Sequence, residues 1–220
     1  MQAHAAWVRA SHWIAAASVA TLAVTGVVIL MAHPRLYWGD AGNDLTPALV
    51  ELPISRNYRH GGFDEPVRFF EDRAAPVSAS RTYDIFNQNG WGRSLHFLAA
   101  WCLVIPGVLY VLTGAFNGHF RRQFWPRTAA AGRRYSALQG VVYGFVVFVA
   151  APVIVLTGLT MSPAVTAAWP MLLTVFGGHQ SARTIHFAVF VVLALFVVIH
   201  VAMVARAGFR RQMRAMTFGD

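Results

Sequence analysis

Residues 182–201 read ARTIHFAVFVVLALFVVIHV, an apolar run whose one charge is Arg183. About 20 such residues in helical form cross a bilayer core. Hydrocarbon offers no water to backbone N–H and C=O groups, so a crossing segment has to satisfy them within its own helix. Three further stretches meet the same condition, giving expected spans at residues 11–32, 94–118, 137–161 and 183–206. The chain is therefore read as all-α, an integral membrane four-helix bundle forming a single domain over residues 1–220. A long connection, residues 34–91, joins the first two helices. With 56% hydrophobic and 12% charged residues, the chain is too apolar for an ordinary soluble domain. The first apolar run lacks a short hydrophobic region ending in a small-residue cleavage site, so it reads as a retained span. Pro106 and Pro152 fall inside spans and are expected to kink them. The charge-free stretch AAWPMLLTVFGG, residues 167–178, is expected to lie along the membrane surface.

The arginines orient the spans. The second connection, NGHFRRQFWPRTAAAGRRY, holds Arg121, Arg122, Arg127, Arg133 and Arg134 and no acid. Arg206, Arg210, Arg211 and Arg214 follow the last span, and Arg9 precedes the first. The first connection instead mixes six arginines with eight acids. The positive-inside rule places both termini in the cytoplasm and residues 34–91 outside. The net charge of +9 is thus a topology signal, and nucleic acid is set aside as a partner. The outer connection is long enough to expect a function for it. It reads as loops with short helical turns and is the expected docking surface for a partner. Cys102, the one cysteine, can form neither an internal disulfide nor a CxxCH attachment and reads as a small core residue.

Ionisable groups inside a bilayer are costly and point to function. His186 and His200 share the last span. Fourteen residues of helix put them about 21 Å apart along the axis and about 40° apart around it. They therefore face one side, one near each membrane surface. By depth His12 matches His200, and His96 matches His186. Two such pairs are what two haems held between helices require. An arginine precedes three of these histidines by three residues, in RASH (Arg9, His12), RSLH (Arg93, His96) and RTIH (Arg183, His186). Residues three apart share a helix face, and guanidinium suits the propionate carboxylates of a haem. Any one of these histidines is equally well explained as an interhelical hydrogen-bonding residue. The matched depths and the repeated arginine favour haem. His4, His33, His60, His119 and His179 read as surface residues, with His119 and His33 as rival ligands for the inner and outer sites. Gly26, Gly107, Gly114, Gly140, Gly144 and Gly158 would let backbones or a flat macrocycle approach closely. Trp7, Trp13, Trp91, Trp101 and Trp125 read as interface anchors, with Trp13 and Phe97 as possible porphyrin contacts.

The segments RASHW, GWGRSLHFLAAW and FGGHQSARTIHFAVFVVLALFVVIHVAMV resemble the di-haem cytochrome b subunits of bacterial respiratory oxidoreductases. That group includes the membrane subunits of formate dehydrogenase, nickel–iron hydrogenase and thiosulfate reductase. The resemblance covers all four spans. It implies two haems b with His12, His96, His186 and His200 as axial ligands, in a bacterial inner membrane. It also implies electron exchange between the quinone pool and a periplasmic redox subunit, often one carrying molybdopterin. In similar proteins the third span opens with a Tyr-Asn-x-x-Gln-like stretch beside a quinone. Here YSALQGVVY keeps Tyr135 and Gln139, with Ser136 in place of the asparagine. Two other readings compete. One is a self-sufficient superoxide:quinone oxidoreductase-type cytochrome, which a basic outer funnel would favour and the net acidic outer connection does not. The other is a metal or proton transporter, which would place Asp or Glu within the spans.

Overall fold

The computed structural model describes residues 5–43, 46–54, 89–118 and 134–219. It is mostly helical, and four of its helices are long and apolar enough to cross a membrane. The first, α1, is Ala6–Ala32, and the second, α2, is Asn89–Phe116. The third is assembled from α3 (Arg134–Phe145), a π-helical turn (Val146–Ala150) and α4 (Ala151–Thr160). Short helices α5 (Pro163–Ala168) and α6 (Met171–Phe176) lead into α7 (His179–Arg206), the last of the four. An amphipathic helix, α8 (Phe209–Thr217), follows. The helices begin three to five residues before the expected spans. Hydropathy marks only the apolar part of a helix, which continues into its polar ends. Large apolar side chains such as Leu98, Val141, Leu195 and Val198 are exposed along these helices, as a surface solvated by lipid requires. Cys102 is exposed on the same kind of surface in α2, so it is no core residue.

The two prolines behave differently. α2 runs unbroken through Pro106. Pro152 is preceded by the π turn, where the Ala151 N–H reaches back to the Val146 carbonyl. Proline lacks an N–H and crowds the preceding turn, and one wider turn absorbs both defects.

The chain divides into two compact units. One comprises Val19–Ala100 and Leu156–Ala188. Here the start of the first connection, expected as loops with short helical turns, includes a two-residue antiparallel pairing, β1 (Arg35–Leu36) with β2 (Val50–Glu51). Pro34, Arg35, Leu36 and Tyr37 are buried. This segment caps α7. The Gly39 carbonyl accepts from the N–H groups of Gln180 (2.9 Å) and Ser181 (3.2 Å). The Gly39 N–H donates to the Ser181 hydroxyl (2.7 Å), and Thr184 Oγ1 donates to the Tyr37 carbonyl (2.6 Å). A helix start leaves four N–H groups without intrahelical acceptors, so the connection completes the helix. Gly177 and Gly178 make the entry possible with φ of +70° and +107°. The other unit comprises Met1–Ser18, Trp101–Val155 and Val189–Asp220. In it Trp7 packs on Tyr110 with ring centroids 5.5 Å apart, and Trp13 Nε1 donates to the Met216 carbonyl of α8 (3.2 Å). α8 presents Arg210, Arg211 and Arg214 outward and buries Ala215.

A methyl group on Gly178 would sit 2.5 Å from Asp40 Oδ1 and from the Gly39 carbonyl oxygen, on a backbone unsuited to L side chains. Gly178→Ala is therefore expected to cost about 1–3 kcal/mol. Thermal unfolding in detergent should show a lowered midpoint; an unchanged midpoint would mean that the cap does not hold α7.

Candidate functional site

Two pairs of imidazoles face each other, each pair inside one unit. His12 of α1 and His200 of α7 have ring centroids 6.4 Å apart with planes tilted by 50°. His96 of α2 and His186 of α7 have centroids 6.4 Å apart with planes tilted by 55°. These are the partners matched by depth in the sequence. Neither pair sits in a cluster of three or more His, Cys, Asp or Glu side chains among the described residues. A site with two protein donors suits a metal whose other positions are filled by its own macrocycle.

Neighbouring helices fix the rings. At the His96/His186 pair, Thr25 Oγ1 of α1 lies 2.9 Å from His96 Nδ1, and Thr157 Oγ1 of α4 lies 3.0 Å from His186 Nδ1. Each threonine precedes a glycine that lies against the same ring. A Cβ on Gly26 would lie 3.4 Å from His96 Cε1, and one on Gly158 would lie 3.3 Å from His186 Cε1. These two glycines make room for an imidazole edge, whereas Gly107 faces open space. At the other pair, the Tyr143 hydroxyl lies 3.1 Å from His200 Nδ1, and Phe196 stacks on the His200 ring at 5.8 Å. Trp13 meets the His12 ring edge-on at 5.3 Å. At His96, His186 and His200, where a hydroxyl engages Nδ1, Nε2 is the ring nitrogen left for a ligand, the usual second-shell arrangement of metal-binding histidines.

The arginines differ in their surroundings. Arg183 is half-buried, donates to the His33 carbonyl and interacts electrostatically with the buried Tyr37 and Arg35. Arg93 is exposed, and Arg9 is half-buried near Gly219. Gln139 lies within 3.9 Å of Met203 Sδ. The side chains of Tyr135 and Ser136 lie outside the described residues, as do His4, His60, His119 and the arginines of residues 121–133. His33 lends its backbone carbonyl to Arg183, and His179 is exposed at the start of α7. Phe97 is also exposed. Thr25, Thr157, Tyr143 and Arg35 were not singled out from the sequence. The available signals were the Thr–Gly pairs at 25–26 and 157–158, and Tyr143 at the end of YSALQGVVY.

Facing imidazoles inside apolar, membrane-crossing helices define the class, a membrane cytochrome b. The family model for prokaryotic cytochrome b561 matches residues 3–219, and the chain belongs to that family. It is similar to the "Putative protein-methionine-sulfoxide reductase subunit YedZ1" of Azospira oryzae, 27% identical over 219 residues covering 92% of this chain and 89% of that protein. No solved structure matches the chain.

The family implies haem b, and the imidazole pairs fit it. His12 with His200, and His96 with His186, would each present two imidazoles to such a group, which would supply one-electron chemistry. Both pairs stand at 6.4 Å.

Gly158→Ala is expected to press on His186 and lower haem retention, with less effect from Gly26→Ala, whose contact is looser. Haem per chain after size exclusion checks this, and full retention in Gly158→Ala would show that the ring is not held at that edge.

Proposed function

We propose that the chain is a membrane electron-transfer subunit carrying two b haems. His12 and His200 ligate one, and His96 and His186 ligate the other. The observation that carries this reading is the equal 6.4 Å separation of the two imidazole pairs. Haem held by two imidazoles would supply one-electron exchange and would leave no open position to oxygen. The histidines hold and orient; Thr25, Thr157 and Tyr143 fix their rings; Arg9, Arg93 and Arg183 would meet propionates from the water side.

With both termini in the cytoplasm, the His96/His186 site faces the periplasm beneath the first connection, and the His12/His200 site faces the cytoplasm. Quinone would exchange at the latter, close to Tyr135, Ser136 and Gln139. The partner would dock on the outer connection, residues 34–91. The name of the Azospira relative suggests a catalytic partner that reduces methionine sulfoxide in proteins. The family resemblance suggests that this partner carries molybdopterin. Sulfoxide reduction consumes electrons, so quinol would be the donor.

A pyridine haemochrome assay with acid–acetone extraction should give two extractable haems per chain. One haem, or haem that stays covalently attached, would refute the count. His12→Ala and His200→Ala should each remove the same haem and leave the other spectrum intact. Loss of different haems from the two variants would break the pairing. Cross-links from residues 46–54 to a periplasmic protein should map the docking face, and cross-links confined to residues 121–134 would reverse it.

A further inference from the structure

The His96/His186 pair is gripped twice in the same way. Thr25 on α1 and Thr157 on α4 come from different parts of the chain, yet each sets its hydroxyl about hydrogen-bond distance from Nδ1 of one histidine. Both threonines are sealed from solvent, at 1% and 0% exposure. Packing alone would not call for a hydroxyl there, because valine has nearly the same shape and suits an apolar helix better. A buried hydroxyl is costly unless hydrogen-bonded. The direction of one bond can be read. Thr25 Oγ1 donates to the Thr21 carbonyl (2.7 Å), so towards His96 its oxygen offers a lone pair. Nδ1 of His96 therefore carries the proton, and Nε2 keeps its lone pair.

An N–H on the far side of a metal-bound imidazole responds to the charge of the metal. Donating it to an acceptor makes the ring a stronger base and favours the more highly charged metal. We propose that Thr25 and Thr157 are paired positioning residues. They lock the imidazoles of the His96/His186 site with the proton on Nδ1, and so hold down the reduction potential of the haem bound there. This rests on the di-haem reading. One electron is exchanged with the neighbouring redox centre and no proton moves, since Nδ1–H stays on the ring in both oxidation states. The His12/His200 site, where the hydroxyl on His200 is the phenol of Tyr143, supplies an internal reference.

The test is a redox titration of the purified haem-loaded chain in detergent, followed by visible spectroscopy, for Thr25→Val, Thr157→Val, the double variant and the two Thr→Ser variants. In the double variant one haem should become easier to reduce by roughly tenfold in its Fe(II)/Fe(III) ratio, 59 mV for a one-electron couple. The other haem should stay in place, and serine should restore the original value. Val variants that lose one haem while Ser variants keep it at the original potential also support the hydroxyl requirement. Two haems at unmoved potentials in the double variant overturn the proposal, as does an equal shift of both. Loss of haem from Ser and Val variants alike overturns it too, because the methyl and not the hydroxyl would then matter. Wild-type protein with a single haem overturns the di-haem reading beneath it, and a haemochrome count made first tells these failures apart.

Discussion

An imidazole inside an apolar helix has two nitrogens and no water. One nitrogen has to be satisfied by the surrounding helices before the other can be offered reliably to a metal. At His96, His186 and His200 that task falls to hydroxyls: Thr25, Thr157 and Tyr143 at 2.9, 3.0 and 3.1 Å. Each hydroxyl comes from a helix other than the one bearing the histidine. The site is thus a property of packed helices and not of any one motif. Unmet, a buried ring nitrogen would cost about 1–3 kcal/mol, and the ring would be free to turn. The tilts of 50° and 55° between paired rings are set by what each ring leans on.

Much of the fold was legible because the bilayer simplifies it. Long apolar runs have few alternatives to a helix, and depth in the membrane reduces the pairing of His12, His96, His186 and His200 to one coordinate. The supporting residues were not legible, because rotation about each helix axis is a second coordinate that hydropathy does not carry. The spans contain three Thr–Gly pairs, at 25–26, 113–114 and 157–158. Nothing in their wording marks the first and last as those set against imidazoles. Helix contacts decide it, and the glycines make sense only afterwards, as clearance for a ring edge at 3.4 and 3.3 Å.

The start of the first connection was only partly legible, for a different reason. Its polar, proline- and glycine-rich composition suggests loops with short helical turns and a docking surface. Within it, Arg35 is 1% exposed and sits in a two-stranded pairing whose neighbour, Gly39, caps α7. The requirement came from α7. A helix that starts near the edge of the hydrocarbon needs acceptors for its first N–H groups. Its own sequence there, GGHQSARTIH, spends the Ser181 hydroxyl on the Gly177 carbonyl and the Gly39 N–H and not on the N–H groups of Gln180 and Ser181. The chain borrows the Gly39 carbonyl across more than a hundred residues, a contact that no local pattern announces.

The same economy bears on Arg183. Its position three residues before His186 suggested a partner for haem propionates, yet its guanidinium donates to the His33 carbonyl. The two roles are compatible, because guanidinium presents five N–H donors in a planar fork and one backbone carbonyl does not exhaust them. Arg35, close enough to interact with Arg183, adds a second buried cation. Glu51, opposite Arg35 in the β pairing, already brings a carboxylate to that neighbourhood. On the proposed reading, Arg183 would stay bound to the His33 carbonyl while offering its other donors to a propionate at the His96/His186 site.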